Sequence, residues 1–283
     1  MSIPRSEFNR RRLLRISVVS LVCALLAWWV WWMERDLSRS SYATGYVMYA
    51  AVITMALYGV RKKLPGIPLA SSANWLQLHI YLGLGSAVLF ALHIGWTKKG
   101  LHWPDGWLEG MLATAYVTSF LSGLWGLWLS RTLPRQLART SDQIIFERIP
   151  MLRYGILRKA RQTVLTAVES SGAETLANFY VDHIDPYLAA PRSLAYAIRP
   201  SSRRRRMLMS ELADLRRLLN DAECEASETL FALVRRKDDV DFHHARQGLL
   251  KGWLFVHLTL TWALILFASL HGVMALSMQG GPA

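Results

Sequence analysis

Long apolar runs alternate with polar, basic segments along this chain, and the lengths of those runs divide it before any single residue is considered. A helix needs about 20 mostly apolar residues to cross a hydrocarbon core. Five stretches meet that requirement: residues 13–33, 42–60, 76–96, 107–130 and 250–276. Basic residues precede the first, as they would in a signal peptide. That run nevertheless ends in Trp28, Trp29, Trp31, Trp32 and Met33 with no small-residue cleavage site, so it reads as a retained span. Between the fourth and fifth runs the pattern changes. Leu208, Leu212, Leu215, Leu219, Ala222, Ala226, Leu230 and Leu233 recur at three- and four-residue steps, which predicts one long amphipathic helix. Thr140 with Gln143, and Ser171 with Glu174, have the spacing of capping boxes. The expected fold is an all-α integral membrane protein of five transmembrane helices. Residues 1–130 carry four spans, residues 131–248 form a helical cytoplasmic domain, and residues 249–283 hold the fifth span and an external tail.

Composition supports that division. The chain has 283 residues, 52% hydrophobic and only 19% charged, with 12 Trp and a net charge of +13. Soluble domains are about 25% charged, and basic nucleic-acid-binding proteins are usually charge-rich, so no nucleic-acid partner is expected. Cys23 and Cys224 lie far apart, which excludes a disulfide scaffold and any CxxC or CxxCH motif. With the N-terminus inside, 29 Lys and Arg fall on the inner side and four, Arg35, Arg39, Lys98 and Lys99, on the outer side. The short segments alone favour the same orientation. Trp96, Trp103 and Trp107 then fall at the outer interface, and Trp75, Trp128 and Trp253 near the inner one. The expected location is a bacterial inner membrane, with the N-terminus and residues 131–248 cytoplasmic and the C-terminus external.

Four of the eight histidines lie inside predicted spans. His79 and His93 are on the third, His257 and His271 on the fifth, each pair 14 residues apart. Fourteen helical steps fall about 40° short of four full turns, so both histidines of a span share nearly one face, roughly 21 Å apart along the axis. One span separates the third from the fifth, so these two run parallel. His79 and His257 therefore meet at the inner end, and His93 and His271 at the outer end. Two imidazole pairs facing each other at two depths suit axial ligation of two haem irons. The expected cofactors are two haem b groups, the inner held by His79 and His257, the outer by His93 and His271. Gly83, Gly85, Gly123 and Gly126 serve close approach of a flat cofactor or ordinary helix packing equally well. Lys98 and Lys99 outside, and Arg61, Lys62, Arg131 and Lys251 inside, are available for propionates, though their plainer role is topology.

The segments HIYLGLGSAVLFALH and HLTLTWALILFASLH, on parallel spans, resemble the membrane dihaem b-type cytochromes, among them respiratory cytochrome b and the ferric-reductase and NADPH-oxidase membrane domains. Placement on the third and fifth spans is closer to the ferric-reductase type. The resemblance covers the spans and not the insert. Proteins of that type usually continue into a flavin and nicotinamide domain after a sixth span. This sequence stops at Ala283 and has no Gly-rich nucleotide loop after a strand. Electrons are thus expected to come from a quinol or a redox partner protein, with the chain as a subunit of a larger complex.

The remaining histidines carry less. His102 lies in the external loop and His183 in the insert. His243 and His244, with Asp238, Asp239 and Asp241, are expected to form a solvated segment joining the insert to the membrane, with a metal or proton site as the other reading. Arg203 to Arg206 form a basic run whose plainest role is solubility, ahead of an acidic partner or anionic lipid headgroups. The leading expectation is transmembrane electron transfer by an electron-carrier subunit. The alternatives are an enzyme oxidising quinol or reducing ferric iron at a haem edge, and a haem-free transporter or assembly subunit.

Overall fold

The computed structural model describes residues 5–35, 40–63, 70–95, 104, 106–138, 144–172 and 174–277. Arg39, Trp96, Lys98, Lys99, His102, Trp103, Thr140, Gln143 and the tail after residue 277, expected to be external, lie outside the described residues, as does the side chain of Lys62. The described residues are helical and contain no strand. The apolar runs become helices α1 (Arg5–Arg35), α2 (Ser40–Lys63), α3 (Ser72–His93), α4 (Trp107–Leu137) and, after the insert, α10 (Asp221–Ser277). The last four are each long and apolar enough to cross a membrane. In α1 the apolar stretch is Ser20–Met33, shorter than a full span. These helices extend past the apolar runs that predict them, two of them markedly at the polar side. Helix α4 continues seven residues beyond position 130 with Pro134 near its end, and α10 begins 29 residues before position 250. A hydropathy boundary marks where a helix leaves hydrocarbon, whereas helical hydrogen bonding continues wherever the backbone can satisfy itself.

The chain divides into two units, one of residues 1–125 with 256–283 and one of residues 126–255. In the first, α1 packs on α2 and α3, and α2 packs along α3. Val52 of α2, Leu112, Ala115 and Tyr116 of α4 and Leu264 of α10 form its buried centre. Helix α3 starts at Ser71, whose hydroxyl accepts from the Asn74 backbone N–H at 3.2 Å. Just beyond its other end Gly95 is left-handed, with φ +69°, a conformation that glycine adopts without a Cβ penalty.

The second unit contains α5 (Ile149–Ser171), α6 (Glu174–Phe179), a π-helical turn (Tyr180–Ile184), α7 (Asp185–Ala189), α8 (Leu194–Ile198) and α9 (Arg203–Leu215). These pack with the first part of α10. Ile149, Ile156, Ala160, Val164 and Ala167 line one face of α5 and are all buried, as a helical apolar stripe requires. Two expectations are corrected here. The leucine repeat from Leu208 to Leu233 is two helices rather than one, because α9 gives way to a 3₁₀ turn (Arg216–Leu218) and α10 starts afresh. The break is enforced by a reciprocal cap. The Glu223 N–H donates to Asn220 Oδ1 at 2.8 Å, and the Asn220 N–H donates to Glu223 Oε2 at 3.0 Å. The second correction is that Ser171 and Glu174 do not occupy the N-cap and N3 positions of one helix. Ser171 closes α5, Gly172 follows in the left-handed region at φ +63°, and Glu174 is the first residue of α6.

Candidate functional site

The first unit brings the four membrane histidines together in two pairs. The ring centres of His79 and His257 lie 6.4 Å apart with planes at 74°. Those of His93 and His271 are also 6.4 Å apart, with planes at 88°. Both α3 and α10 are unbroken through these positions, so the 14-residue spacing becomes two pairs at two levels.

The separation has a direct chemical meaning. An iron bonded axially to two imidazole nitrogens at about 2 Å, each about 1.1 Å from its ring centre, sets the centres roughly 6.2 Å apart. Edge-to-face aromatic contacts also span about 4.5–7 Å, so the distance is joined by a second observation, the partner of each Nδ1. His79 Nδ1 lies 3.1 Å from the Met55 carbonyl, which can only accept. His79 therefore carries its proton on Nδ1, and a neutral ring then presents the Nε2 lone pair. His93 Nδ1 lies 3.1 Å from Thr44 Oγ1. That hydroxyl is within 3.0 Å of both the Ser40 and Ser41 carbonyls, to which its single proton can be donated, leaving it to accept from His93. His257 Nδ1 lies 3.3 Å from Ser122 Oγ. Such outer partners fix the ring orientation and tautomer of metal-ligating histidines.

Space is arranged for one of the rings: a Cβ on Gly45 would stand 3.1 Å from His93 Cε1, whereas one on Gly123 would make ordinary contact with His257 Cε1 at 3.6 Å. Around the inner pair, Met55, His79, Gly83, Tyr116, Gly123 and His257 contribute to the lining of a cavity of about 80 Å³. That is room for two or three waters at about 30 Å³ each. The donor set and ring spacing fit an axial ligand pair, whereas a macrocycle enters only if side chains of the lining move outward.

Between the two levels the unit is filled. Ser86 stands seven residues from both His79 and His93, and Leu264 seven from both His257 and His271. Ser86 donates to the Gly83 carbonyl at 2.7 Å, so the Tyr116 hydroxyl, 2.9 Å away, donates to Ser86. Tyr116 stacks on Phe90, with ring centres 4.2 Å apart.

The four glycines divide by role. Gly83 and Gly123 border the inner cavity. A Cβ on Gly126 would overlap the Trp253 indole, so this glycine serves close packing, whereas one on Gly85 would make only ordinary contact with Cys23. Thr44, Gly45, Met55 and Ser122 were not singled out by the sequence. The legible signal was the Thr44–Gly45 dipeptide inside an apolar run, at the level of His93. The cations divide similarly. Lys251 donates to Glu147 at 2.7 Å and lies over the Phe146 ring, within the second unit. Arg61 donates to the Ala70 carbonyl at 3.1 Å, and Arg131 is exposed.

The second unit corrects the expectation of a solvated segment around His243. Lys237 and Asp241 are each 1% exposed, and Asp238 and His243 are buried. Asp241 accepts from Lys237 at 2.6 Å, from Arg153 at 2.8 Å and from Arg192 at 2.8 Å. Asp238 accepts from Arg192, Arg205 and Ser202. The tight spacing of Lys237, Asp238 and Asp241 thus marks a structural ion network. Burial lowers the ammonium pKa of Lys237 against the pull of Asp241. His244 stacks on Phe146, and His183 lies 3.9 Å from Glu211 on the surface. Among the described residues, no three or more His, Cys, Asp or Glu converge as metal ligands. An axial pair escapes such a criterion because it needs only two side chains, the macrocycle supplying the other donors. No known protein family, curated protein or solved structure matches this chain.

Proposed function

We propose that this chain conducts electrons across a membrane as a dihaem b-type cytochrome subunit, with five transmembrane helices, a cytoplasmic insert and an external C-terminus. His79 and His257 hold an inner haem b, and His93 and His271 an outer one. The single observation that supports this most strongly is the repetition of one ring separation, 6.4 Å, at two levels of the same two helices. Helix geometry alone returns a facing pair after 14 residues on both partners; what it does not explain is that all four positions are histidine.

Haem, when bound, supplies the one-electron redox chemistry. The chain's own residues ligate, orient and insulate. The Met55 carbonyl and Thr44 hydroxyl keep the proton on Nδ1 of His79 and His93, so each ring offers Nε2 to a metal. Gly45 leaves His93 unobstructed. The layer of Ser86, Tyr116, Phe90 and Leu264 keeps water from the space between the levels. Two histidines per iron leave no position for a substrate, which favours an electron carrier over a self-contained enzyme. A quinol or a redox partner protein supplies or removes the electrons.

The test is a reduced-minus-oxidised spectrum of the purified protein with a haem assay. A b-type spectrum with two haems per chain supports the proposal; a protein purified without haem after expression with ample haem supply contradicts it.

A further inference from the structure

The second unit carries a surface that neither its core nor the electron path explains. Between Asp185 and Glu211 the sequence has six arginines and no acidic residue. Arg192 and Arg205 turn inward to Asp238 and Asp241. The other four, Arg199, Arg203, Arg204 and Arg206, are exposed. Large apolar side chains are exposed among them: Leu194 is 86% exposed, Ile198 72% and Met207 62%. Leu194 and Ile198 are four residues apart on α8, hence on one face. Met207 and Arg203 are likewise four apart on α9. Meanwhile Tyr196, on the other side of α8, lies 4.9 Å from the Arg192 guanidinium. The segment therefore turns one side to the ion network and presents leucine, isoleucine, methionine and arginine outward.

The ion network also fixes where this surface stands. Arg192, just before the segment, is tied to Asp238 and Asp241, and Arg205, within it, to Asp238, both aspartates being on α10. Those aspartates lie 12 and nine residues before position 250, where the apolar run of α10 begins. At about 1.5 Å per residue this is roughly 14–18 Å of helix, which sets the network itself about 7–13 Å beyond a headgroup layer of about 5–7 Å. The segment is thus tied to the part of α10 that precedes the apolar run, and its outward side chains span the remaining distance.

We propose that residues 194–207 dock on the anionic headgroups of the bilayer that α10 enters, with Leu194, Ile198 and Met207 inserted at the interface and the four exposed arginines among the phosphates. Exposed apolar residues interleaved with arginine are the composition of an interfacial anchor, and the all-cationic charge selects an anionic surface over a zwitterionic one. The proposal rests on α10 being membrane-spanning and is independent of haem.

The experiment uses the full chain in nanodiscs of phosphatidylcholine alone or mixed with phosphatidylglycerol. Cys23 and Cys224 are replaced by serine, and Ile198→Cys is labelled with a small environment-sensitive fluorophore. Bromine-labelled lipid is expected to quench the label in the anionic discs at least about fivefold more than in zwitterionic discs. The difference should vanish in high salt and in the Arg203→Gln/Arg204→Gln/Arg206→Gln variant, which leaves Arg205 and its ion pair intact. Equal quenching in both discs, or none in either, overturns the proposal. So does shielding of the label in detergent that grows with protein concentration, the mark of a second copy on this face. The haem spectrum, recorded on the same samples, is expected to be unchanged by the triple substitution, so failure here is distinguishable from failure of the proposed electron path.

Discussion

His79, His93 and His257 sit among apolar helices, with Nδ1 near the neutral Met55 carbonyl, Thr44 hydroxyl and Ser122 hydroxyl respectively. In residues 126–255, by contrast, Lys237, Asp238 and Asp241 are buried with Arg153, Arg192 and Arg205 in a network of full charges. Both regions bury polar groups, but only in the second are opposite full charges set against one another. Buried charges that satisfy one another hold a fold together. Histidines oriented from one ring nitrogen, in facing pairs of fixed separation, suit the proposed haem between them.

The comparison can be broken from the insert side first. Replacing Asp241 with alanine leaves Lys237, Arg153 and Arg192 without their shared carboxylate. Removal of one partner from a buried network costs about 3–5 kcal/mol, so the insert should become sensitive to protease and denaturant. The haem content of Asp241→Ala should stay at the wild-type value. A variant that loses haem along with insert stability would show that the two regions are not separable.

A smaller effect is expected from the site. Thr44→Val removes the hydroxyl near His93 Nδ1 while keeping the side-chain shape. Outer partners of metal-bound histidines contribute about 10–100-fold in affinity, so a haem titration should show one site weakened and the other unchanged. Equal weakening of both sites would contradict the assignment of Thr44 to the outer level.

The smallest effect is a pH dependence. Among the described residues, His243 Nε2 is buried without a hydrogen-bond partner. Burial lowers its pKa, outweighing the pull of Asp239, with Arg236 adding to the lowering. The unfolded chain therefore binds a proton on this residue at higher pH than the folded chain does. Stability of the insert should fall as pH drops from about 6.5 toward the lowered value, and should level off below it. Unfolding of His243→Gln against pH should lose that slope; an unchanged slope would place its origin elsewhere.

The histidine pairing was legible because a 14-residue spacing on parallel helices fixes direction and depth together, and these are all that the pairing needs. The apolar runs were legible for the same reason, since a bilayer imposes a length. What escaped was whatever depends on contacts between segments distant in sequence. Thr44 and Met55 approach His93 and His79 from α2, and no local pattern links those positions. Asp238 and Asp241 looked like a solvated charge run because their partners Arg153, Arg192 and Arg205 are 33 to 88 residues away. The break in the leucine repeat was visible as Asn220 and Glu223, a capping pair, but the period continued through it and hid the boundary.

The central claim is that two histidine pairs hold two haems, and ligand replacement with haem counting tests it most directly. His79→Leu, His93→Leu, His257→Leu and His271→Leu are purified and their haem-to-protein ratios and redox titrations compared with the wild type. The expected result is two haems in the parent and one in each variant. His79→Leu and His257→Leu should leave the same remaining potential, and His93→Leu and His271→Leu the other. Two haems retained in any of the four, or residual potentials that group the histidines differently, would contradict the account.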